Sequence, residues 1–168
     1  SYGAGSKDVY IVKTDSNGVV QWTRTIGSTD EEVAYAAIEV AGVGYMVTGY
    51  RKYNNGKTDI LVAQVDQTGA INWNTNYGGN HSEVGYDIKE KNSNSFIVVG
   101  TDKNTTPATS FILDVDLSGL QQSYIQLYTT KELNIKALDF DREGGYLLAG
   151  HVVQSNGKTD AYFAKVDE

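Results

Sequence analysis

Asp59-Ile60-Leu61-Val62-Ala63-Gln64-Val65-Asp66, with Gly69 and Trp73 behind it, decides the reading of this chain, because the same run returns three more times. Asp8-Val9-Tyr10-Ile11-Val12-Lys13-Thr14-Asp15 precedes it. Ser110-Phe111-Ile112-Leu113-Asp114-Val115-Asp116 follows it, and Asp160-Ala161-Tyr162-Phe163-Ala164-Lys165-Val166-Asp167 closes the series. The closing aspartates, Asp15, Asp66, Asp116 and Asp167, are spaced by 51, 50 and 51 residues. Gly18, Gly69 and Gly119 follow at an offset of three. Trp22, Trp73 and Tyr124 step by 51, and Gly49, Gly100 and Gly150 end a third recurring run. Four landmarks on one period identify an internal repeat, which outranks any local signal.

Within one period the residues predict four strands and no helix. Segments 8–15, 19–26, 33–40 and 44–50 are rich in Val, Ile, Tyr, Thr and Trp, which suit a pleated, packed surface. Asp15-Ser16-Asn17-Gly18, Gln67-Thr68-Gly69 and Leu117-Ser118-Gly119 are turn signals, with glycine placed to supply a positive φ. Helix competes only at 33–40, through Ala34, Ala36 and Ala37; the counterpart Val84-Gly85-Tyr86-Asp87-Ile88 favours strand. The strands carry apolar residues on both faces, Val9 and Ile11 against Tyr10 and Val12, so each sheet needs neighbours on both sides. The expected fold is therefore all-β: a propeller-like array of four-stranded antiparallel blades, about three repeats of 51 residues, not closed by one chain. Its repeats run over 8–58, 59–108 and 109–158, with a partial repeat at 159–168, in a single domain.

The pattern Asp-x-x-x-x-Lys-x-Asp-x-x-Gly-x-x-x-Trp, then Gly, then Gly-Tyr-x-x-x-Gly, resembles the propeller-type repeats of bacterial and archaeal secreted or surface proteins. It is also similar to the tryptophan-docking motif of quinoprotein propellers, one residue shorter between Asp and Trp, with Asp66 to Trp73 the best copy. The chain departs from that pattern at Tyr124 for Trp, at Ser110 for the leading Asp, and at Thr129 for the glycines at 27 and 78. The third repeat is thus the most diverged. The resemblance covers the whole chain and implies an extracellular or cell-surface β-repeat protein. It carries no activity, because such folds host many unrelated ones. If the docking turn lies between the third and outermost strands, as the resemblance implies, the chain starts and stops in mid-blade. The expected completions are the remainder of a longer chain, a six-bladed ring of two copies, or a head-to-tail polymer. Ser1 in place of Met points the same way, to a removed leader or a longer parent.

Composition narrows the partners. The 168 residues hold 14 Lys+Arg against 21 Asp+Glu, a net charge of −7, which opposes binding to nucleic acid or anionic lipid. Cysteine is absent, so thiolate chemistry and disulfides are excluded. No run of 18 apolar residues is present, so no membrane insertion by a helix is expected.

The repeat itself separates architecture from function. Features present in every copy read as structural: the turn carboxylates Asp15, Asp66, Asp116 and Asp167, the turn glycines, and the packing aromatics Trp22, Trp73 and Tyr124. A calcium reading of the turns lacks charge, because Gln67-Thr68 and Leu117-Ser118 offer few ligands. Features that break the pattern sit in the longer loops, 27–32, 50–58, 78–83, 101–109, 129–133 and 151–159, which the alternation of strands puts on one face. The candidate binding residues there are Glu32, Tyr50, Tyr53, Asn54, Asn55, Asn80, His81, Glu83 and His151. Tyrosines with amides suit a carbohydrate or protein partner. No catalytic residue, cofactor or metal site is assigned. Two enzyme arrangements are open: His81 with Ser82 and Asp30, and a glycosidase-like carboxylate pair of Glu32 with Glu83, which hold the same place in adjacent repeats. The leading expectation is a non-enzymatic scaffold that binds protein or glycan, or assembles with itself, through the long-loop face. The alternatives are a glycan-active hydrolase or lyase, and a subunit of an extracellular polymer.

Overall fold

The computed structural model describes residues 6–167, and every regular element in it is a β-strand. Strands β1 (Val9–Thr14) and β2 (Val20–Ile26) form a two-stranded sheet. Strands β3 (Glu31–Val40), β4 (Gly44–Lys52), β5 (Thr58–Asp66) and β6 (Ile71–Tyr77) form a four-stranded sheet in chain order. A second four-stranded sheet holds β7 (Glu83–Asn92), β8 (Ser95–Asp102), β9 (Thr109–Asp116) and β10 (Gln121–Leu127). Strands β11 (Glu132–Phe140), β12 (Tyr146–Val153) and β13 (Thr159–Val166) complete the molecule as a three-stranded sheet. All pairings between these strands are antiparallel, an isolated parallel bridge ties Lys7 to Glu31, and the alanine-rich segment 33–40 lies wholly within β3. The sheets run out of phase with the sequence period: residues 8–58 hold two strands of one sheet and two of the next.

Apolar residues on both strand faces place a core on each side of the middle sheets. In β8, Phe96 and Val98 pack toward β3–β6, while Ile97 and Val99 pack toward β11–β13. In β5, Ile60 and Val62 join the first of those cores, and Leu61, Ala63 and Val65 join Val9 and Ile26 of the two-stranded sheet. Three layers of buried side chains thus lie between four sheets, the arrangement that doubly apolar strands require.

The closing aspartates build the turns. Asp15 Oδ1 accepts from the amides of Asn17 and Val19 at 2.9 and 2.8 Å. Asp66 Oδ1 does so from Thr68 and Ala70, and Asp116 Oδ1 from Ser118 and Leu120. Gly18, Gly69 and Gly119 hold φ of 82°, 85° and 81°, which a side chain rarely tolerates. The second and third of these turns are then clasped by a tryptophan of the preceding sheet: Trp22 Nε1 donates to Gln67 O and Trp73 Nε1 to Leu117 O, both at 3.0 Å.

Register corrects two equivalences suggested by spacing. Lys13 faces Trp22 and Gln64 faces Trp73, but Asp114 faces Ser123 rather than Tyr124. Likewise Asp59 stands opposite Arg51, and its counterpart opposite Asp102 is Thr109, not Ser110. The cause is the 50-residue step between Asp66 and Asp116, which shifts every later landmark by one. Tyr124 takes the place of Asn74 and stacks on Phe111 with centroids 5.3 Å apart.

The strands also run further than the sequence suggests. Glu31 and Glu32, Tyr50 to Lys52, Thr101 and Asp102, and His151 to Val153 all lie in strands rather than loops. The ladder continues through them because polar side chains at a sheet end still leave the backbone free to pair.

Candidate functional site

One cross-strand position occurs three times at the same end of the stack. Glu32 faces Arg51 in β3–β4, Glu83 faces Asp102 in β7–β8, and Leu133 faces Val152 in β11–β12. In the first copy Glu32, 3 % exposed, accepts from the amide of Ser28 at 3.1 Å and from the Ser28 hydroxyl. Arg51 Nε lies 3.6 Å from Glu32, and the same guanidinium donates to Asp30 at 2.8 and 3.0 Å. The cavity beside them, lined by Ser28, Glu32 and Arg51, holds only about 30 Å³.

In the second copy the equivalents are His81 for Asp30, Asp102 for Arg51 and Gly79 for Ser28. The ion pair is inverted, with His81 Nδ1 2.8 Å from Asp102 Oδ2. Gln126 Nε2 donates to the same oxygen at 3.0 Å, and the Asn104 amide donates to Oδ1 at 3.2 Å. Glu83, 5 % exposed, has lost both partners of its counterpart, and its Oε2 has no hydrogen-bond partner among the described residues. Burial pushes the Glu83 carboxyl up to about 7, with the Asp102 and Asp59 charges adding to the shift. The Asp102 carboxylate holds the half-exposed His81 imidazolium above the usual histidine value. Replacing Arg by Asp and Ser by Gly opens the cavity to about 310 Å³, and Tyr124 forms one wall of it.

A separate cleft of about 340 Å³ lies on the same side between the two four-stranded sheets. Tyr35 and Tyr86 are the extra residues of equivalent β-bulges, with Lys136 the third of the set. Opposite each bulge stands Gly49, Gly100 or Gly150, where a Cβ would collide with the carbonyl oxygen of Val33, Val84 or Asn134. The bulges aim their side chains at one another. Tyr35 and Tyr86 have centroids 5.0 Å apart, Tyr35 and Tyr50 6.0 Å, and Lys136 Nζ sits 3.1 Å from the Tyr86 centroid. Tyr35 is 51 % exposed and lines the cleft with Tyr50, Lys52, Lys103 and Asn104. Burial pushes the Lys136 amine down to about 8, and Lys103 contributes in the same direction. The Tyr86 ring face opposes that shift by favouring the ammonium.

The other candidates fall in several places. Tyr53 donates to Asp59 Oδ2 at 2.7 Å, and Asn54 lines a shallow surface cleft with Asp30 and Glu31. Asn55 Oδ1 accepts from the Lys57 amide, while Asn80 lines the acidic cavity and accepts Lys57 Nζ through its carbonyl. His151 stands in β12 opposite Asn134, away from both clefts' linings. Asp167 lies 3.6 Å from Lys165 Nζ. The His81–Ser82–Asp30 arrangement is not assembled: His81 pairs with Asp102, Asp30 with Arg51, and Ser82 Oγ accepts from the Thr58 amide. Glu32 and Glu83 line different cavities, so they do not flank one bond. Sequence reasoning missed Tyr35, Asp102 and Tyr124. Of these Asp102 carried a signal, as an acidic residue at the place the period assigns to Arg51. No family model matches the chain, and no curated protein matches it either.

Proposed function

We propose that this chain is a non-enzymatic scaffold of propeller-type blades, working outside the cell or at its surface, and that it binds a glycan in the Tyr35 cleft. The observation that carries the reading is the exposed Tyr35 ring, braced by Tyr50 and Tyr86 at the rim of a cleft whose other walls include Lys52, Thr58, Ser82, Lys103 and Asn104, with Val84 apolar among them. The C–H face of a sugar ring packs on an aromatic face, while amides and ammonium groups take its hydroxyls or carboxylates. Lys52 and Lys103 line this cleft in a chain of net charge −7, which favours an acidic sugar over a neutral one. The stacked sheets, the inward bulges and the tryptophan clasps support the propeller reading, and the resemblance of the repeat supports the location.

The test is a titration of neutral and uronic-acid oligosaccharides followed by calorimetry and by tyrosine fluorescence. Acidic oligosaccharides should bind, and Tyr35→Ala should weaken them by about ten-fold or more, equivalent to ~1.4 kcal/mol. Binding that Tyr35→Ala leaves unchanged, or a panel with no binder, rejects the cleft as a glycan site.

A further inference from the structure

The acidic cavity walled by His81, Glu83, Asp102 and Tyr124 is distinct from the tyrosine cleft, and three observations converge on it. Donor atoms of His81, Glu83 and Asp102 all lie within 4.8 Å of one another. Glu83, nineteen-twentieths buried, lines the cavity with an oxygen that no protein group satisfies among the described residues. The two sister positions show that the sheet does not require this. The first holds its glutamate with Ser28 and Arg51; the third uses the apolar pair Leu133 and Val152. Two carboxylates set opposite each other across a ladder and buried there repel and are poorly solvated. A cation shared between them removes both costs, and the second copy has exchanged the built-in guanidinium for an imidazole and a second carboxylate.

We propose that His81, Glu83 and Asp102 bind a divalent cation of the kind that accepts mixed nitrogen and oxygen donors, with Zn²⁺ or Mn²⁺ the best fit. Calcium takes six to eight oxygens, and neither its donor number nor an all-oxygen set is available from these three side chains. Zinc bonds of about 2.0–2.1 Å set tetrahedral donors roughly 3.4 Å apart, so donor atoms that lie within 4.8 Å of one another draw in on the ion, while the 2.8 Å contact between His81 and Asp102 opens as the ion replaces the proton they share. Gln126 and the Asn104 amide already hold the Asp102 carboxylate, the outer hydrogen bonding that fixes a ligand's orientation. Three protein ligands beside a cavity leave a coordination position facing it, open to water or to an oxygen of a bound molecule.

The full chain is stripped with EDTA, dialysed, and titrated with ZnCl₂, MnCl₂, CaCl₂ and MgCl₂ by calorimetry, with thermal melting in parallel. The expected result is one Zn²⁺ or Mn²⁺ per chain, a raised melting temperature, and weaker responses to Ca²⁺ and Mg²⁺. Glu83→Gln and Asp102→Asn should each weaken binding by about ten-fold or more. Glu90→Gln, at an exposed position of β7, should leave it unchanged. His81→Ala, at a half-exposed position, guards against a variant that fails to fold; in the parent chain the His81 ring resonances should shift on titration with Zn²⁺. Absence of binding up to about 1 mM metal, a range that covers weak extracellular sites, overturns the proposal. Retention of full affinity by Glu83→Gln or by His81→Ala overturns it equally, by placing the ion elsewhere.

Discussion

The Glu32–Arg51 and Glu83–Asp102 positions are the same place in consecutive sheets, and a few side chains make one a filled ion pair and the other an open acidic cavity. The strand register is the same at both positions, so the difference at the pair itself lies in its side chains, Asp102 for Arg51 and Gly79 for Ser28. It teaches that a buried glutamate at this position is shared by two of the three copies, whereas its surroundings differ: a guanidinium in the first, an imidazole and a second carboxylate in the second. The most severe way to break the comparison is to remove the cation from the first copy. Arg51→Met leaves Glu32 and Asp30, 3 % and 9 % exposed, without their partner. Losing one member of a buried pair costs about 3–5 kcal/mol, and the partial exposure of Arg51 sets the expectation at the lower end, about 3 kcal/mol in denaturant unfolding. A loss under about 1 kcal/mol would mean that the guanidinium is not what stabilises Glu32.

The second cleft is expected to respond in the opposite sense. Glu83→Leu with Asp102→Val copies the apolar pair that β11–β12 already carries as Leu133 and Val152. Replacing buried charges by packed apolar groups of similar volume is often neutral or stabilising by about 1–4 kcal/mol. Here Glu83 lacks partners at the outset, so a gain of about 2 kcal/mol is expected in EDTA, read from the shift of the denaturation midpoint. Saturating metal should erase the advantage by stabilising only the parent chain. A destabilised double variant in EDTA would show that the carboxylates are structural.

The architecture was legible because period and pleat are both periodic signals. The recurrence of Asp15, Asp66 and Asp116 with their glycines located the turns, and alternating apolar residues on both faces required stacked sheets. What the sequence hid was registration at single-residue precision. Tyr124 sits 51 residues after Trp73, yet the aspartates there step by 50, and the pairing follows the aspartates. The residue read as the third packing aromatic is therefore a wall of the acidic cavity, and Ser123 holds the clasp position instead. The candidate site was half legible. Glu32, Glu83 and His81 were visible as residues breaking or sharing the pattern, but their partners Arg51 and Asp102 lie about twenty positions away across a ladder. Only the register Glu32–Arg51 and Glu83–Asp102 makes the inversion of charge apparent. Tyr35 and Tyr86 were hidden for the same reason, since a bulge leaves no mark in a strand's composition.

The comparison is sharpened by positions where the copies differ by a single hydrogen bond. Asp66 and Asp116 each cap a turn through a hydroxyl and two backbone amides, Thr68 and Ala70 in one, Ser118 and Leu120 in the other. Side-chain hydrogen bonds from Thr68 and from Ser118, followed by the backbone amides, hold both carboxyls below the usual aspartate value. A carboxyl depressed in the folded state contributes stability above its unfolded value of 3.8 and loses it as pH falls through the folded one. Asp66→Asn and Asp116→Asn should therefore both lower the melting temperature at pH 7, Asp116→Asn somewhat more because Gln122 Nε2 also donates to its Oδ2 at 2.9 Å, and both by less than either cavity variant because these groups are solvent-facing. The deficit should narrow together in both variants below about pH 4. Melting curves between pH 7 and pH 3 read both quantities. A larger deficit for Asp66→Asn than for Asp116→Asn would mean that even these turns have specialised beyond the Gln122 bond, and the divergence at Glu83 and Asp102 would then no longer stand out against a uniform frame.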